Sequence, residues 1–215
     1  MREKIIALSA ITALASVAAA DVVSYDATFS SKKTNWSDSM TLPLFDPALG
    51  TLNKVSWTLW GEVSGTARFE SEDSGPADIT MKLSATLTLF GPDASVLQIT
   101  IPFFQLVETV SAYDGITDFG GTSGRTYTNL VANKSEDGET IAAQDLAQFT
   151  GVGNLVLPLT AEGSSTASGA GNIISAFSTF AAAHATVNYE YTPVPGPGAV
   201  ALAGLGSLLV ARRRR

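Results

Sequence analysis

The sequence predicts an all-β protein: a single antiparallel β-sandwich, jelly-roll-like, flanked by an N-terminal signal helix and a C-terminal apolar helix. Three observations lead to this prediction. Apolar and polar residues alternate with a period of two through much of the middle of the chain. Polar turns separate these runs, and only one short segment has helical spacing. The two ends, by contrast, are apolar runs beside clusters of positive charge.

The clearest strand signal lies at residues 79–89. The odd positions are Ile, Met, Leu or Ala, and the even positions are Thr, Ser or Lys. Residues 55–69 alternate in a similar way, which places the side chains of one parity in the core. The acidic segment 70–76 between the two runs is predicted to be a turn. Together the two runs suggest a long antiparallel hairpin.

Other strands and one helix are predicted with less regular patterns. Residues 185–191 alternate and form the last strand. Five shorter strands are predicted, at residues 22–29, 96–101, 106–112, 126–131 and 155–159. Only residues 140–149 have helical spacing, with Thr140 as the N-cap and Ile141, Leu146 and Phe149 on one side.

The N-terminus has the three parts of a secretory signal peptide. Arg2 and Lys4 are its positive start and residues 5–17 its apolar stretch. The small residues Ala18 and Ala20 form the cleavage pattern, with cleavage expected after Ala20. Export by a Sec-type machinery follows from this pattern.

A second apolar run occupies residues 199–211, before a cluster of arginines at the C-terminus. The run is shorter than the roughly 20 residues that cross a bilayer, and the arginines are expected to hold the tail on the cytoplasmic side. The apolar tail residues are Ala199, Leu202, Leu205, Leu208, Leu209 and Val210, and the stop charges are Arg212, Arg213, Arg214 and Arg215.

This tail resembles a PEP-CTERM sorting signal. The motif positions are Val194, Pro195, Gly196, Pro197 and Gly198, followed by the apolar run and the arginine cluster. Gly196 stands where the family usually has glutamate, in a Pro-Gly-Pro-Gly form that resembles a variant of the motif. The resemblance implies processing by an exosortase-type membrane protease. The alternative is an uncleaved anchor.

The chain divides into residues 1–20 (signal), 21–193 (β-sandwich domain) and 194–215 (sorting tail). The middle part has 7 Lys+Arg and 19 Asp+Glu, a formal net charge of −12. Such an acidic body argues against binding nucleic acid, whose phosphates need basic residues. The chain has no cysteine, so packing and backbone pairing must stabilise the exported domain without disulfides.

The domain itself resembles the choice-of-anchor E family over about residues 21–191. Four segments carry the resemblance: residues 34–36, 119–124, 145–153 and, most specifically, the Phe-Asp-Pro-Ala-Leu-Gly-Thr-Leu phrase within 42–52. The family joins a similar exported bacterial domain to alternative surface-sorting tails. It implies a cell-surface location and supplies no catalytic residues.

Residues able to carry chemistry are few. His184 is the single histidine, which removes any His-cluster zinc site and leaves a triad only one base. We interpret it as an ordinary residue at the start of the last strand. A glycosidase-type carboxylate pair stays open, although Glu62 and Glu70 are expected on a solvated face. Weak calcium candidates lie in two acidic segments: Glu70, Glu72, Asp73, Asp114 and Asp118.

Aromatic residues offer a weak carbohydrate-binding hypothesis. Trp57 has core parity, whereas Trp60 has the opposite parity and is the candidate for stacking on a sugar ring; Trp36 and Tyr127 lie near predicted turns. The function predicted is a non-enzymatic, exported surface or extracellular-matrix protein with no confident cofactor. The alternatives are a module binding envelope polysaccharide and a jelly-roll hydrolase.

Overall fold

The computed structural model describes residues 20–194, so statements about structure refer to that part of the chain. The predicted signal helix, the apolar tail helix and all of the sorting motif except Val194 lie outside it. Ten strands and one short helix are described: β1 (Asp21–Lys33), β2 (Trp36–Pro43), β3 (Gly50–Ser71), β4 (Ala77–Phe90), β5 (Val96–Thr100), β6 (Phe103–Val110), β7 (Gly124–Thr140), α1 (Ala143–Gln148), β8 (Asn154–Gly163), β9 (Thr166–Ser168) and β10 (Ile173–Pro193).

The strands form two antiparallel sheets. The first sheet has the order β1-β10-β3-β7, and the second has the order β2-β8-β4-β5. Strands β6 and β9 pair with the first half of β4, while β5 and β8 pair with its second half. The pairing is nested: β1 pairs with β10, β2 with β8, β3 with β7, and β4 with β5 and β6. The described domain is therefore all-β and antiparallel, as the sequence predicted.

One hydrophobic core lies between the sheets. Alternation of buried and less buried residues along β3, β4 and β10 produces it, because successive side chains of a strand point to opposite faces. Every position predicted to be buried in residues 55–69 and 79–89 is buried. Three aromatic rings extend the core at one end: Phe45 lies 5.1 Å from Tyr191 and 6.1 Å from Tyr189 between ring centroids.

The predicted hairpin of residues 55–69 and 79–89 is wrong. Strands β3 and β4 lie in opposite sheets, and each bonds to other strands. Both bury their apolar parity, so they pack face to face across the core instead of side by side. The connection between them, residues 72–76, passes from one sheet to the other, and residues 70 and 71 belong to β3.

The predicted helix is shorter than expected and lacks the predicted cap. Helix α1 begins after Ala142, which makes no side-chain capping bond. Thr140 accepts a hydrogen bond from the Ala142 N–H (3.3 Å) and donates one to Asp145 (2.7 Å), so it orders the approach to the helix rather than its first turn. Phe149 is buried, but Ile141 is 73% exposed, so the two do not share a buried side.

Both ends of the described chain leave the same end of the sandwich. Asp21 lies opposite Tyr191 on neighbouring strands, and Pro193 lies opposite Gly50. We call this the near end; it also carries the 91–95 turn and α1. The opposite, far end carries the 72–76 connection and the long loop 111–123.

Candidate functional site

The weak calcium candidates at the far end are hydrogen-bonded to the protein. In residues 20–194, no group of three His, Cys, Asp or Glu side chains is arranged to hold a metal ion. The carboxylates instead accept hydrogen bonds from the protein. Asp73 accepts from the N–H groups of Gly171 (2.7 Å) and Asn172 (2.9 Å). Asp114 accepts from the N–H groups of Ile116 (3.1 Å) and Thr122 (3.2 Å). Asp118 accepts from the Gly120 N–H (2.8 Å), and Glu72 accepts from the Thr117 hydroxyl (3.1 Å).

Glu70 is fully buried, and its expected place on a solvated face is wrong. The loop 111–123 covers it and supplies its partners: the Ser123 hydroxyl donates to Oε1 at 2.6 Å and the Phe119 N–H donates to Oε2 at 2.7 Å. Gly124 fits beside the carboxylate because a Cβ there would collide with Oε2. Glu70 therefore fastens the loop to β3. Glu62 is half-buried.

Phe119 connects this buried carboxylate to an exposed arginine. Its backbone has φ of 61°, in the left-handed region that bulky residues rarely adopt. Its ring lies under the Arg68 guanidinium, 4.4 Å from the guanidinium carbon to the ring centroid. The Thr126 hydroxyl donates to the Phe119 carbonyl at 3.0 Å. The loop thus fixes the orientation of Arg68, which has no carboxylate within salt-bridge distance among the described residues.

Arg68 borders a depression of about 200 Å³ on the outer face of the first sheet. Four hydroxyl side chains from three strands share this depression with the guanidinium: Thr66, Thr126, Thr128 and Ser178. The pairing of β3 with β7 shifts register here, between Gly65 and Ala67. Asn129 on the facing strand has φ of 57°. We attribute the local irregularity of the face to this bulge.

A second hollow, of about 230 Å³, lies at the near end beside Trp57. Its walls include the carboxylates of Asp93, Glu139 and Asp145 and the amide of Gln148. Hydrogen bonds from the Ser95 side chain and backbone N–H hold the pKa of Asp93 below its ordinary value. The Gln148 amide approaches Asp93 at 3.5 Å. These carboxylates come from separate elements, so no local pattern in the sequence pointed to them.

Trp57 is buried as predicted, yet its edge borders this hollow. The indole N–H donates to the Gln98 side-chain oxygen at 3.3 Å. Gly138, opposite Trp57 on β7, leaves room for the indole, since a Cβ at that position would collide with the ring nitrogen. A glycine within a strand signals such a close approach.

The remaining aromatic candidates are all half-buried. Trp60 is half-buried on the outer face of the first sheet. It therefore stays a candidate for stacking on a sugar ring, although its ring is not fully exposed. Trp36 is half-buried, stacked on Phe29 (6.2 Å) with Lys32 over its ring (5.3 Å). Tyr127 donates to Glu108 at 3.1 Å, and burial raises its pKa.

His184 lies in the middle of β10, not at its start as predicted. Its Nδ1 is 3.1 Å from the Thr28 hydroxyl, and its Nε2 is 3.3 Å from an Asp26 carboxylate oxygen. All three side chains lie on the outer face of the first sheet. These contacts join β10 to β1.

Within residues 20–194, no helix has the length and apolar character of a membrane span. Ala20 is exposed, and Val194 is exposed with its N–H bonded to the Leu49 carbonyl at 3.1 Å. The other signal and sorting residues lie outside this range.

Comparisons with known proteins give only a distant structural likeness. No family model and no curated protein matches the chain. Among solved structures, a chain of the T13 particle of infectious bursal disease virus is 16% identical with a TM-score of 0.15, covering 89% of this chain and 47% of the viral one. A chain of the Gx strain of that virus is also 16% identical, with a TM-score of 0.16 and coverages of 90% and 49%. This chain thus spans about half the length of either viral chain.

Proposed function

We propose that this protein is an exported cell-surface or extracellular-matrix protein whose β-sandwich is delivered through its C-terminal tail. The observation that carries the proposal is the pair of end segments: a three-part signal peptide ending at Ala20, and a PEP-CTERM-like tail from Val194 to Arg215. An exosortase-type protease would remove the tail near the motif. The domain between them would then act by structure or by interaction, without catalysis.

Two features of the described domain support this proposal. First, the nested pairing of β1 with β10, β2 with β8, β3 with β7 and β4 with β5 and β6 corresponds to one long hairpin folded into two sheets, and we propose that the domain is a jelly roll. Second, the domain begins and ends at the near end, so a signal and a tail can both attach there without disturbing the core.

The test is the intact mass and cell fraction of the protein, with Arg212 to Arg215 retained, replaced by lysines or replaced by serines. We expect loss of residues 1–20 and of the tail, and relocation from the inner membrane that depends on the arginines. The lysine variant separates the need for charge from the need for arginine. A full-length C-terminus retained in the inner membrane would make residues 199–211 a plain anchor and would contradict processing.

The second candidate is binding of envelope polysaccharide. One observation favours it: the outer face of the first sheet carries the partly exposed Trp60 and the depression at Arg68, on a surface rich in hydroxyl side chains. The jelly-roll hydrolase would act in the near-end hollow, where Asp93, Glu139 and Asp145 are brought near one another.

A further inference from the structure

The depression beside Arg68 combines one positive charge with several hydroxyl groups. Arg68 lies opposite Thr126 on β7 and Ala176 on β10, and Thr66 lies opposite Ser178, so the side chains of three strands converge there. At about 200 Å³ it is smaller than the roughly 300–1,000 Å³ of pockets for drug-sized ligands. Its size suits one ring of a longer ligand rather than a whole cofactor.

Among the described residues, Arg68 pairs with no carboxylate, whereas Arg125 on the neighbouring strand pairs with Glu108 at 3.1 Å. Arg68 instead rests on the Phe119 ring at 4.4 Å, and Phe119 is fastened by Glu70 and Thr126. Stacking on an aromatic ring leaves the planar N–H edge of a guanidinium available, and this edge matches a carboxylate with two parallel hydrogen bonds.

The number of positive charges relative to hydroxyl groups in the depression indicates the class of ligand. Phosphate carries more charge than one arginine neutralises, and protein phosphate sites usually add backbone N–H groups or further cations. A single guanidinium with four hydroxyls instead complements one carboxylate on a body rich in hydroxyls. We infer that the depression lined by Arg68, Thr66, Thr126, Thr128 and Ser178 binds a single uronic-acid residue of a sparsely carboxylated polysaccharide, because the acidic domain disfavours a densely charged chain.

This inference builds on the second candidate function and gives it a site and a chemistry. It moves the binding surface from Trp60 towards the far end of the same sheet face. The inference about binding does not depend on where the protein is located in the cell. A negative result in the sorting experiment would not contradict binding, and a negative result in the binding experiment would not contradict sorting.

The experiment is a calorimetric titration of the full chain, purified in detergent, with galacturonic acid and with its methyl ester, which differ by one charge. The ester keeps the hydroxyls and removes the charge. We expect the ester to bind at least about tenfold more weakly than the acid, the difference that one charge-assisted pair typically makes. Absence of binding by the acid, or equal binding of acid and ester, would overturn the inference.

The chain offers a matched control for Arg68. Lys82 is another cation stacked on a phenylalanine, Phe103, at 4.6 Å, but it belongs to the second sheet. Arg68→Met is expected to weaken binding of the acid about tenfold, whereas Lys82→Met leaves it within about twofold. Equal losses in the two variants would show that binding follows net charge alone and would contradict the site.

Loss of the stack could disturb the loop, so a second variant leaves it intact. Thr128→Val keeps the β-branched shape and removes one hydroxyl of the depression, while the Thr126 hydroxyl that bonds to Phe119 stays in place. We expect an affinity about two- to tenfold lower, with an unchanged melting temperature. Full affinity in Thr128→Val together with full affinity in Arg68→Met would exclude the depression as the binding site.

Discussion

The two ends of the sandwich use their carboxylates in different ways. At the far end, Glu70, Asp73 and Asp114 each accept two hydrogen bonds from the protein. The buried Glu70 fastens a loop to β3, Asp73 joins two connecting segments, and Asp114 bonds within its own loop. At the near end, Asp93 also accepts a hydrogen bond from Ser95, but Asp93 and Glu139 line an open hollow, and the Glu139 side chain is 63% exposed. The comparison teaches that the carboxylates of an acidic loop can serve to hold the loop, so acidic residues alone do not indicate a ligand site.

The largest effect is expected from removing the buried acceptor at the far end. Glu70→Ala leaves the Ser123 hydroxyl and the Phe119 N–H without their acceptor and opens space beside Gly124. We expect the free energy of unfolding to fall by about 3 kcal/mol, because buried unsatisfied groups are costly. Urea denaturation followed by circular dichroism measures it.

The near end supplies the control for that measurement. Glu139→Ala removes an exposed carboxylate and should change stability by less than about 0.5 kcal/mol. If both variants lost the same stability, the proposed difference between the two ends would be wrong.

A smaller effect is expected where the near-end hollow meets the core. In Gly138→Ala the new methyl group would collide with the Trp57 ring, which must shift together with its bond to Gln98. We expect a loss of about 1–3 kcal/mol, as for other overpacked sites, and a change in tryptophan fluorescence. Gly75→Ala is the matched substitution, because no atom lies within 4 Å of its added methyl group. Alanine also lowers the entropy of the unfolded chain, so no loss is expected there; a loss as large as that of Gly138→Ala would show that the effect is not specific to the contact with Trp57.

The smallest expected effect is the dependence of stability on pH through Asp93 at the near end. The lowered pKa of Asp93 means that folding favours its ionised form. Its contribution to the free energy of unfolding is therefore fully present at pH values above the ordinary pKa of 3.8. That contribution is lost as the pH falls through the lower folded pKa. We therefore expect Asp93→Asn to melt at a lower temperature than the unsubstituted protein at pH 6, and the difference to shrink towards pH 2. A constant difference over this range would assign the effect to something other than ionisation.

The sequence predicted local features well and distant ones poorly. Alternation in residues 79–89 predicts β4 because a strand between core and solvent must alternate, whatever pairs with it. Alternation cannot show that β3 lies in the opposite sheet from β4, because a hairpin and a face-to-face packing would bury the same residues. Strand β2 was missed because only Met40 and Leu42 of its eight residues are buried.

The candidate sites depended even more on distant segments. Glu70 is buried by a loop about fifty residues further along the chain, so its own neighbours could not reveal it. One usable signal was present: Gly65 interrupts the alternation of β3, and a glycine inside a strand pattern predicts a bulge. The depression at Arg68 lies beside that bulge.

The exit of β10 at the near end has a mechanical consequence for the proposed sorting tail. Strand β10 runs through the first sheet between β1 and β3, and a tether attached beyond Val194 would pull on it at the near end. A load held at the far end, on β3, would then act along the strands, so that all the hydrogen bonds between β10 and β3 resist it together. A domain pulled in this direction fails by sliding two long strands past each other rather than by opening one bond at a time.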